Sequence, residues 1–278
     1  MDKHEVFKAL AADVAQGELA FPTSAQVAMK VRQALDDPEC HIEAAAQLVQ
    51  AEPLLAARVV AMANSVTYNR SGRDITDVRT SVARLGFRTV RSLAVALITR
   101  QLAGTPTEPA LQKLAGQLWE HTAHVASLAH VIARRVTKVD PETAMFAGIV
   151  HEVGGFYLIS RAKDYPGLLD GDFAEWLEGG EIEVGRAVLK LLEVPAPVQE
   201  AIDAYWDGYM AMPAESLGDT LLLAEYLAPV PSPLHRTGQE QSQAQASSID
   251  MAIGEETLSS ILAESAEEVG SLTGALQF

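Results

Sequence analysis

The chain has 278 residues, enough for one large domain or two modest ones with a sizeable core. Hydrophobic residues make up 48% and aromatic residues only 6%, a balance rich in Ala and Leu that favours closely packed helices. The formal net charge is −16 and the negative excess lies after residue 104, so general nucleic-acid binding is disfavoured. Cys40 is the only cysteine, which excludes an internal disulfide and a cysteine-based zinc site.

The chain begins with charged residues, Met1-Asp-Lys-His-Glu, in place of the apolar core of a signal peptide. No apolar run approaches the roughly 20 residues that a membrane-spanning helix needs. We therefore expect a cytoplasmic protein without a membrane segment.

Residues 70–100 are the exception to the acidic balance, since seven arginines stand there against only Asp74 and Asp77. Runs of charge are usually solvated surfaces, so the first interpretation is a solvated face that balances the acidic second half. The alternative is a docking surface for an acidic partner or a nucleotide.

Hydrophobic periodicity in the first hundred residues predicts a series of short helices. Pro53 opens one of them, at a position where proline is favoured, and Gly86 separates two others. Residues 64–72 are rich in turn residues and predict a loop. The predicted helices lie at 24–35, at 41–50, from 53 onward, at 77–85 and at 87–102. A polar break with two prolines then predicts a boundary that closes an N-terminal helical sub-domain, residues 1–104.

The following unit, residues 105–230, is predicted to be a second helical core. Helical segments are expected over 110–136, and Asp140 followed by Pro141 is a typical start for the helix that contains His151. Later helices are predicted at 181–192, 196–206 and 216–228. No alternating run of β-branched residues indicates a sheet, so the predicted fold class is all-α.

The composition changes again near the C-terminus. Residues 231–254 contain little to bury and predict a flexible linker. Residues 255–278 predict an amphipathic helix with one largely apolar face. That face must be buried, either on the body of the same chain or on another chain.

A histidine followed at once by a carboxylate, His151-Glu152, is the most informative motif. It lies in an apolar helix, thirty residues after His121, which sits on the apolar face of an earlier helix. A helical bundle can bring such residues to one metal ion, and Glu225 is the best-placed carboxylate to complete the set. A metal there would lower the pKa of a bound water and present hydroxide to a phosphoester.

Several residues argue against a working site. Both carboxylates are glutamates, whose extra methylene moves the oxygens by more than about 1 Å, while metal–ligand distances tolerate only about ±0.2 Å. Gly155 stands where a phosphate-binding cation would be useful. His235, the only later histidine, falls in the predicted linker, so a single ion is expected in preference to two. His124 and His130 are predicted at the surface or rim of the helix that carries His121.

Blocks of this sequence, in order, resemble the HDOD family of bacterial signalling modules, which are related to the HD and HD-GYP phosphohydrolases. The resemblance runs from about Phe21 to about Ala228 and is most specific in its N-terminal part. The matching blocks include Phe21-Pro22, Asp36-Asp-Pro38, Gln50-Ala-Glu-Pro53, Ala63-Asn64-Ser65, Ser81-Val-Ala-Arg-Leu85-Gly86, Leu118-Trp119-Glu-His121 and Ala144 to Gly154.

The resemblance implies an all-α, HDOD-type fold and a regulatory role without an established enzymatic activity. His121 and His151 match the histidines of the catalytic relatives. Glu152 and Glu225 stand where those relatives use aspartate, and Gly155 stands where they use lysine. These departures make the HD-like core a degenerate one.

The sequence therefore predicts a non-enzymatic signal-transduction module that binds a signalling protein or a small ligand, with no catalytic residue and no cofactor. The alternative is a metal-dependent phosphohydrolase that acts on nucleotides or cyclic dinucleotides. It would use a single divalent metal ion, and its candidate ligands are His121, His151, Glu152 and Glu225.

Overall fold

The structure is a computed structural model, and it describes residues 2–17, 23–171, 173–211, 213–235 and 258–277. These residues form helices and no strand, so the all-α prediction is confirmed. The helices are α1 (Lys3–Ala15), α2 (Thr23–Leu35), α3 (Ile42–Gln50), α4 (Pro53–Ala63), α5 (Val78–Leu102), α6 (Pro109–Ile132), α7 (Pro141–Val150), α8 (Val153–Arg161), α9 (Glu181–Leu191), α10 (Ala196–Asp207), α11 (Leu217–Leu227), α12 (Leu258–Glu264) and α13 (Ala266–Leu276). Single π-helical turns follow α6 at Ala133–Thr137 and precede α9 at Trp176–Gly180.

Asp77 and Asp140, with which the sequence predicts two helices to begin, cap the first turns of α5 and α7. The carboxylate of Asp77 accepts a hydrogen bond from the backbone N–H of Thr80 at 2.8 Å, and Asp140 does the same for Thr143 at 2.8 Å. These contacts satisfy donors that a helix start would otherwise leave unpaired. Gly86 has φ 75° and divides α5 at the predicted point, in a conformation that glycine adopts readily.

Asparagine side chains fix the loop between α4 and α5. The Asn64 amide donates to the carbonyls of Val60 at 3.0 Å and Ile75 at 2.7 Å, and its oxygen accepts from the N–H of Ile75 at 2.8 Å. Asn69 donates to the carbonyl of Arg73 at 2.8 Å. The predicted loop is therefore held by side chain–backbone bonds, which replace regular secondary structure.

Two groups of helices meet along α5. Helices α2, α3 and α4 pack against α5, whereas α6 packs most extensively against α7, and α8 to α11 complete the second group. Gly148 lets α7 approach α6 closely, because a Cβ at that position would lie 2.5 Å from the Cα of Ala126. Helix α1 packs on α9, so it lies with the second group although the sequence assigned it to the N-terminal sub-domain. The boundary at residue 104 stays a prediction.

The last helix packs back on the body of the protein, against α6 and α4. Leu272 and Leu276 are buried, and the indole N–H of Trp119 donates to the carbonyl of Leu276 at 3.2 Å. The apolar face of this helix is therefore buried on the body of the same chain, which is the first of the two predicted alternatives. The predicted linker residues 236–254, and residues 255–257 of the predicted helix, lie outside the described residues.

One described stretch, Pro141–Arg161, is long and apolar enough to cross a membrane. Within its apolar window, 89% of the residues are buried inside the protein. Such burial is typical of helices in the core of a globular domain, and the stretch comprises two helices, α7 and α8.

A partly buried polar cluster joins the two helical groups. The carboxylate of Glu142 on α7 accepts hydrogen bonds from the hydroxyls of Tyr68 at 2.5 Å and Thr89 at 2.8 Å, and lies 3.5 Å from Nε2 of His130. The prediction of His130 at the surface or rim is wrong. The residue is only 3% exposed, because its ring packs between Glu142 and the ring of Tyr68. His124, on the same helix, is half-buried.

The Glu142→Gln substitution should destabilise the protein at neutral pH by roughly 1.5–3 kcal/mol, the usual contribution of hydrogen bonds to a charged group. Burial acts to raise the pKa of Glu142, but hydrogen bonds from His130, Tyr68 and Thr89 outweigh it and hold the pKa below its usual range. The stabilisation is therefore present above the unfolded-state pKa and is lost as pH falls through the lower folded-state pKa.

Urea unfolding of both proteins between pH 7 and pH 3 measures this effect, with the exposed Glu120→Gln on α6 as the matched control. The difference in unfolding free energy between the native chain and Glu142→Gln should shrink towards acid. A difference that stays constant over this range would contradict the role assigned to Glu142.

Candidate metal centre

His151 and Glu152 lie at a break between two helices, and not inside one helix as the sequence predicted. Helix α7 ends at Val150, α8 begins at Val153, and Glu152 has φ −107° and ψ 25°. Successive residues of an unbroken helix point roughly 100° apart, since each turn takes about 3.6 residues. At the break, both side chains point at one centre.

All four predicted ligands converge on that centre. Nε2 of His121 lies 3.0 Å from Oε2 of Glu225 and 3.3 Å from Oε2 of Glu152. Nε2 of His151 lies 3.4 Å and 3.7 Å from the same two oxygens. The extra methylene of each glutamate therefore does not remove its carboxylate from the centre. Helix α6, the α7–α8 break and helix α11 each supply part of the set.

Backbone carbonyls fix the orientation of both imidazoles. Nδ1 of His121 is 2.7 Å from the carbonyl of Val230, and Nδ1 of His151 is 2.7 Å from the carbonyl of Gly148. A carbonyl only accepts, so each Nδ1 carries the proton. Nε2 of His121 then faces the carboxylates, where it donates to Glu225 when the ring is protonated and would offer its lone pair to a cation when the ring is neutral. Metal-ligating histidines typically have this outer hydrogen bond, which sets the tautomer and the ring direction.

The centre is buried and strongly attracts positive charge. His121, His151 and Glu152 are exposed by 0%, 1% and 2%. Burial acts to lower the pKa of His121, but the carboxylates of Glu225 and Glu152 outweigh it and raise that pKa to about 9. Nε2 of His151 and Oε2 of Glu152 are buried without a hydrogen-bond partner.

A divalent cation fits this donor set. It would be held by two imidazole nitrogens and two carboxylates, and would satisfy the two buried atoms that lack a partner. When bound, such a cation lowers the pKa of a coordinated water. The residues of the chain themselves hold the ligands in place and exclude bulk water.

The placement of His235 in a flexible linker is wrong. Nε2 of His235 lies 3.1 Å from Oε2 of Glu181 and 3.5 Å from Oε1 of Glu152. The hydroxyl of Ser232 donates to that same Oε1 at 2.5 Å. The polar, proline-rich composition concealed this contact, and Leu234 was the one apolar signal that the segment folds back. The reason for expecting a single ion therefore no longer holds.

Leu234 occupies the space beside Gly155. A Cβ at Gly155 would lie 2.5 Å from Cδ1 of Leu234, whose side chain is fully buried. A lysine at this position would meet that leucine. Residues 230–235, called the covering segment below, thus close the centre with the carbonyl of Val230, the hydroxyl of Ser232 and the side chain of Leu234.

Three of the seven arginines in residues 70–100 pair with acidic groups of the same chain. Arg79 contacts Glu43 at 2.6 Å, Arg88 contacts Asp140 at 2.5 Å and Arg91 contacts Asp36 at 2.8 Å. These exposed pairs favour the interpretation of a solvated face over that of a docking surface.

Comparison with known protein families identifies the family of this chain. The HDOD domain model matches residues 21–206, and the chain belongs to the HDOD domain family. No curated protein matches the chain.

Solved structures show the same fold. A protein of Shewanella amazonensis SB2B, named "Putative metal-dependent phosphohydrolase", superposes with a TM-score of 0.73 at 21% identity, over 99% of each chain. An HDOD domain protein of unknown function from Geobacter sulfurreducens superposes with a TM-score of 0.60 at 21% identity, over 98% of this chain and 97% of that chain. A protein of Marinobacter aquaeolei VT8, named "Putative signal transduction protein", superposes with a TM-score of 0.61 at 17% identity. The match covers 100% of this chain and 67% of that chain.

The Gly155→Lys substitution should displace the covering segment, because Leu234 and a lysine side chain compete for one space. Burial lowers the pKa of His235, but Glu181 and Glu152 outweigh it and raise that pKa well above its usual value, so the native imidazole is a poor nucleophile. Displacement should therefore increase modification of His235 by diethyl pyrocarbonate several-fold, as measured by peptide mass spectrometry.

The matched control is Gly270→Lys, at an exposed helical glycine with nothing within 4 Å of an added Cβ. Its His235 should react as slowly as in the native chain. A folded Gly155→Lys protein with equally slow modification would contradict the assigned contact.

Proposed function

We propose that this HDOD protein is a regulatory module that works by binding and not by phosphoester hydrolysis, with its HD-like centre retained as a buried site for a divalent cation. The observation that carries this proposal is the covering segment. Val230, Ser232 and His235 of this segment contact ligands of the centre, and Leu234 fills the space where a phosphate-binding lysine would lie.

Hydrolysis requires a phosphoester to reach a water activated at the cation. His121 and His151 are almost completely buried, and the carbonyl of Val230 holds the outer nitrogen of His121. Ser232 is bonded to Glu152, one of the proposed ligands. A substrate would therefore have to displace groups that also orient the cation site.

A cation at the centre would cross-link three separate parts of the fold. Its ligands come from α6, from the break between α7 and α8, and from α11. Because unfolding separates these ligands, cation binding would stabilise the native state. The cation then has a structural role, and it maintains the surfaces through which the module binds its partner.

A cleft of about 280 Å³ between α5, α7 and the start of α10 supports binding of a small ligand. Its walls combine polar groups with the apolar side chains of Phe146 and Val198. Arg88 and Arg91 line it while paired with Asp140 and Asp36. A signalling protein or small ligand bound here would contact both helical groups at once.

Metal-dependent phosphohydrolysis is the second candidate function. The observation in its favour is the convergence of His121, His151, Glu152 and Glu225, with both imidazoles correctly oriented. It would require the covering segment to open and the glutamates to replace aspartates in the catalytic role.

Turnover assays with Mn²⁺ distinguish the two functions. We expect no hydrolysis of bis(p-nitrophenyl) phosphate, nucleoside monophosphates or cyclic dinucleotides above the level of His151→Ala. The matched control is His4→Ala, since His4 lies on α1, away from the centre. Mn²⁺-dependent turnover by the native chain and His4→Ala, absent from His151→Ala, would overturn the regulatory proposal.

A further inference from the structure

We infer that Glu152, Glu181 and His235 form a second divalent-cation position beside the first, with Glu152 shared between the two. The inference rests on the proposed function in one respect, because Glu152 is also a ligand of the first position. It adds two residues, Glu181 and His235, that sequence reasoning did not select.

The three groups are spaced as ligands of one ion. One donor atom from each of Glu152, Glu181 and His235 lies within 4.8 Å of the other two. Nε2 of His235 is 3.1 Å from the Glu181 carboxylate and 3.5 Å from that of Glu152. Ligands bound at about 2.1 Å lie roughly 3.0–3.4 Å apart in octahedral or tetrahedral geometry, so little movement is needed.

The two oxygens of Glu152 point to different positions. Oε2 lies near Nε2 of His121 and of His151, whereas Oε1 lies near His235 and accepts from Ser232. Glu152 therefore directs one oxygen at His121 and His151 and the other at His235. A carboxylate in this arrangement can bridge two cations.

Glu225 belongs to the first position. Its Oε2 contacts His121 and His151, whereas its Oε1 lies 3.9 Å from Nδ1 of His235 and not from the Nε2 that faces Glu181 and Glu152. The second position therefore adjoins the first through Glu152.

Glu181 supplies an independent observation that points to a ligand. It is only 7% exposed, and its Oε1 is buried without a hydrogen-bond partner. A buried carboxylate oxygen without a partner is costly, and a cation satisfies it. Glu181 is the first residue of α9, directly after the π-helical turn, so its backbone position is fixed by the fold.

The charges of the region also require compensation. Glu152, Glu181 and Glu225 lie 3.5, 3.1 and 3.9 Å from ring nitrogens of His235. The ion-pair contacts of these carboxylates at the centre are with histidines, and a divalent cation that displaced the imidazole protons would take over the balance of their charge. Three carboxylates and three imidazoles suit a borderline cation such as Mn²⁺, Fe²⁺ or Zn²⁺.

His235 also marks the entry side. Its side chain is 21% exposed, whereas those of His121 and His151 are fully buried. The second position is thus the outer one. It has fewer ligands and should bind more weakly than the inner one.

The test is to count bound Mn²⁺ by equilibrium dialysis and elemental analysis on the full chain. We expect two ions in the native chain, and one in both His235→Ala and Glu181→Gln. Glu183→Gln is the matched control, because Glu183 is exposed on the same helix, and it should retain two ions. Electron paramagnetic resonance should show a spin-coupled Mn²⁺ pair in the native chain and an isolated ion in the two variants.

One ion in the native chain, or two in both variants, would overturn the second position. The former result would leave the inner cation and the proposed function standing, with His235 as an imidazolium that balances charge. No bound ion at all would overturn the inner cation as well. Thermal melting monitored by circular dichroism verifies that each variant is folded, and Glu181→Gln preserves the shape of the side chain.

Discussion

The fold around the centre depends on the neutralisation of one buried carboxylate, Glu152. It is almost fully buried at the break between α7 and α8, so its charge must be met by groups from elsewhere in the chain. His121 of α6 lies on one side of it, and Ser232 and His235 of the covering segment lie on the other. A single carboxylate therefore determines how an early helix, a helix break and a late segment come together.

A second glutamate, the partly buried Glu142, has a corresponding role at the other end of α7. It joins the loop residue Tyr68 and Thr89 of α5 to His130 of α6. Helix α7 thus connects the polar cluster around Glu142, which joins the two helical groups, to the cation centre. A ligand that alters the contacts of this cluster would act on the cation centre through α7, a single helix of ten residues.

Local signals in the sequence predicted most of the fold. Asp77, Asp140 and Gly86 act through their own backbone and nearest turn, so their effects could be anticipated without tertiary information. The resemblance to the HDOD family also identified His121, His151, Glu152 and Glu225, which the fold brings together. What it could not give was the break at His151, since apolar residues run through both α7 and α8 and indicate one continuous helix.

The contacts of His130 and His235 were missed for a related reason. Each contacts a residue distant in sequence, Tyr68 for the first and Glu181 for the second. Helical periodicity places a residue on a face but does not reveal what covers that face, and a proline-rich segment conceals burial altogether. The number of cation positions depends on such a contact, so it could only be inferred from the structure.

Anomalous diffraction from crystals grown with Mn²⁺ tests the central claim most directly, namely that a cation centre persists beneath a closed covering segment. The account predicts a manganese peak between Nε2 of His121 and Nε2 of His151, with Leu234 still packed on Gly155. It would be contradicted by the absence of a peak there, or by a peak at a centre open to solvent with residues 230–235 displaced.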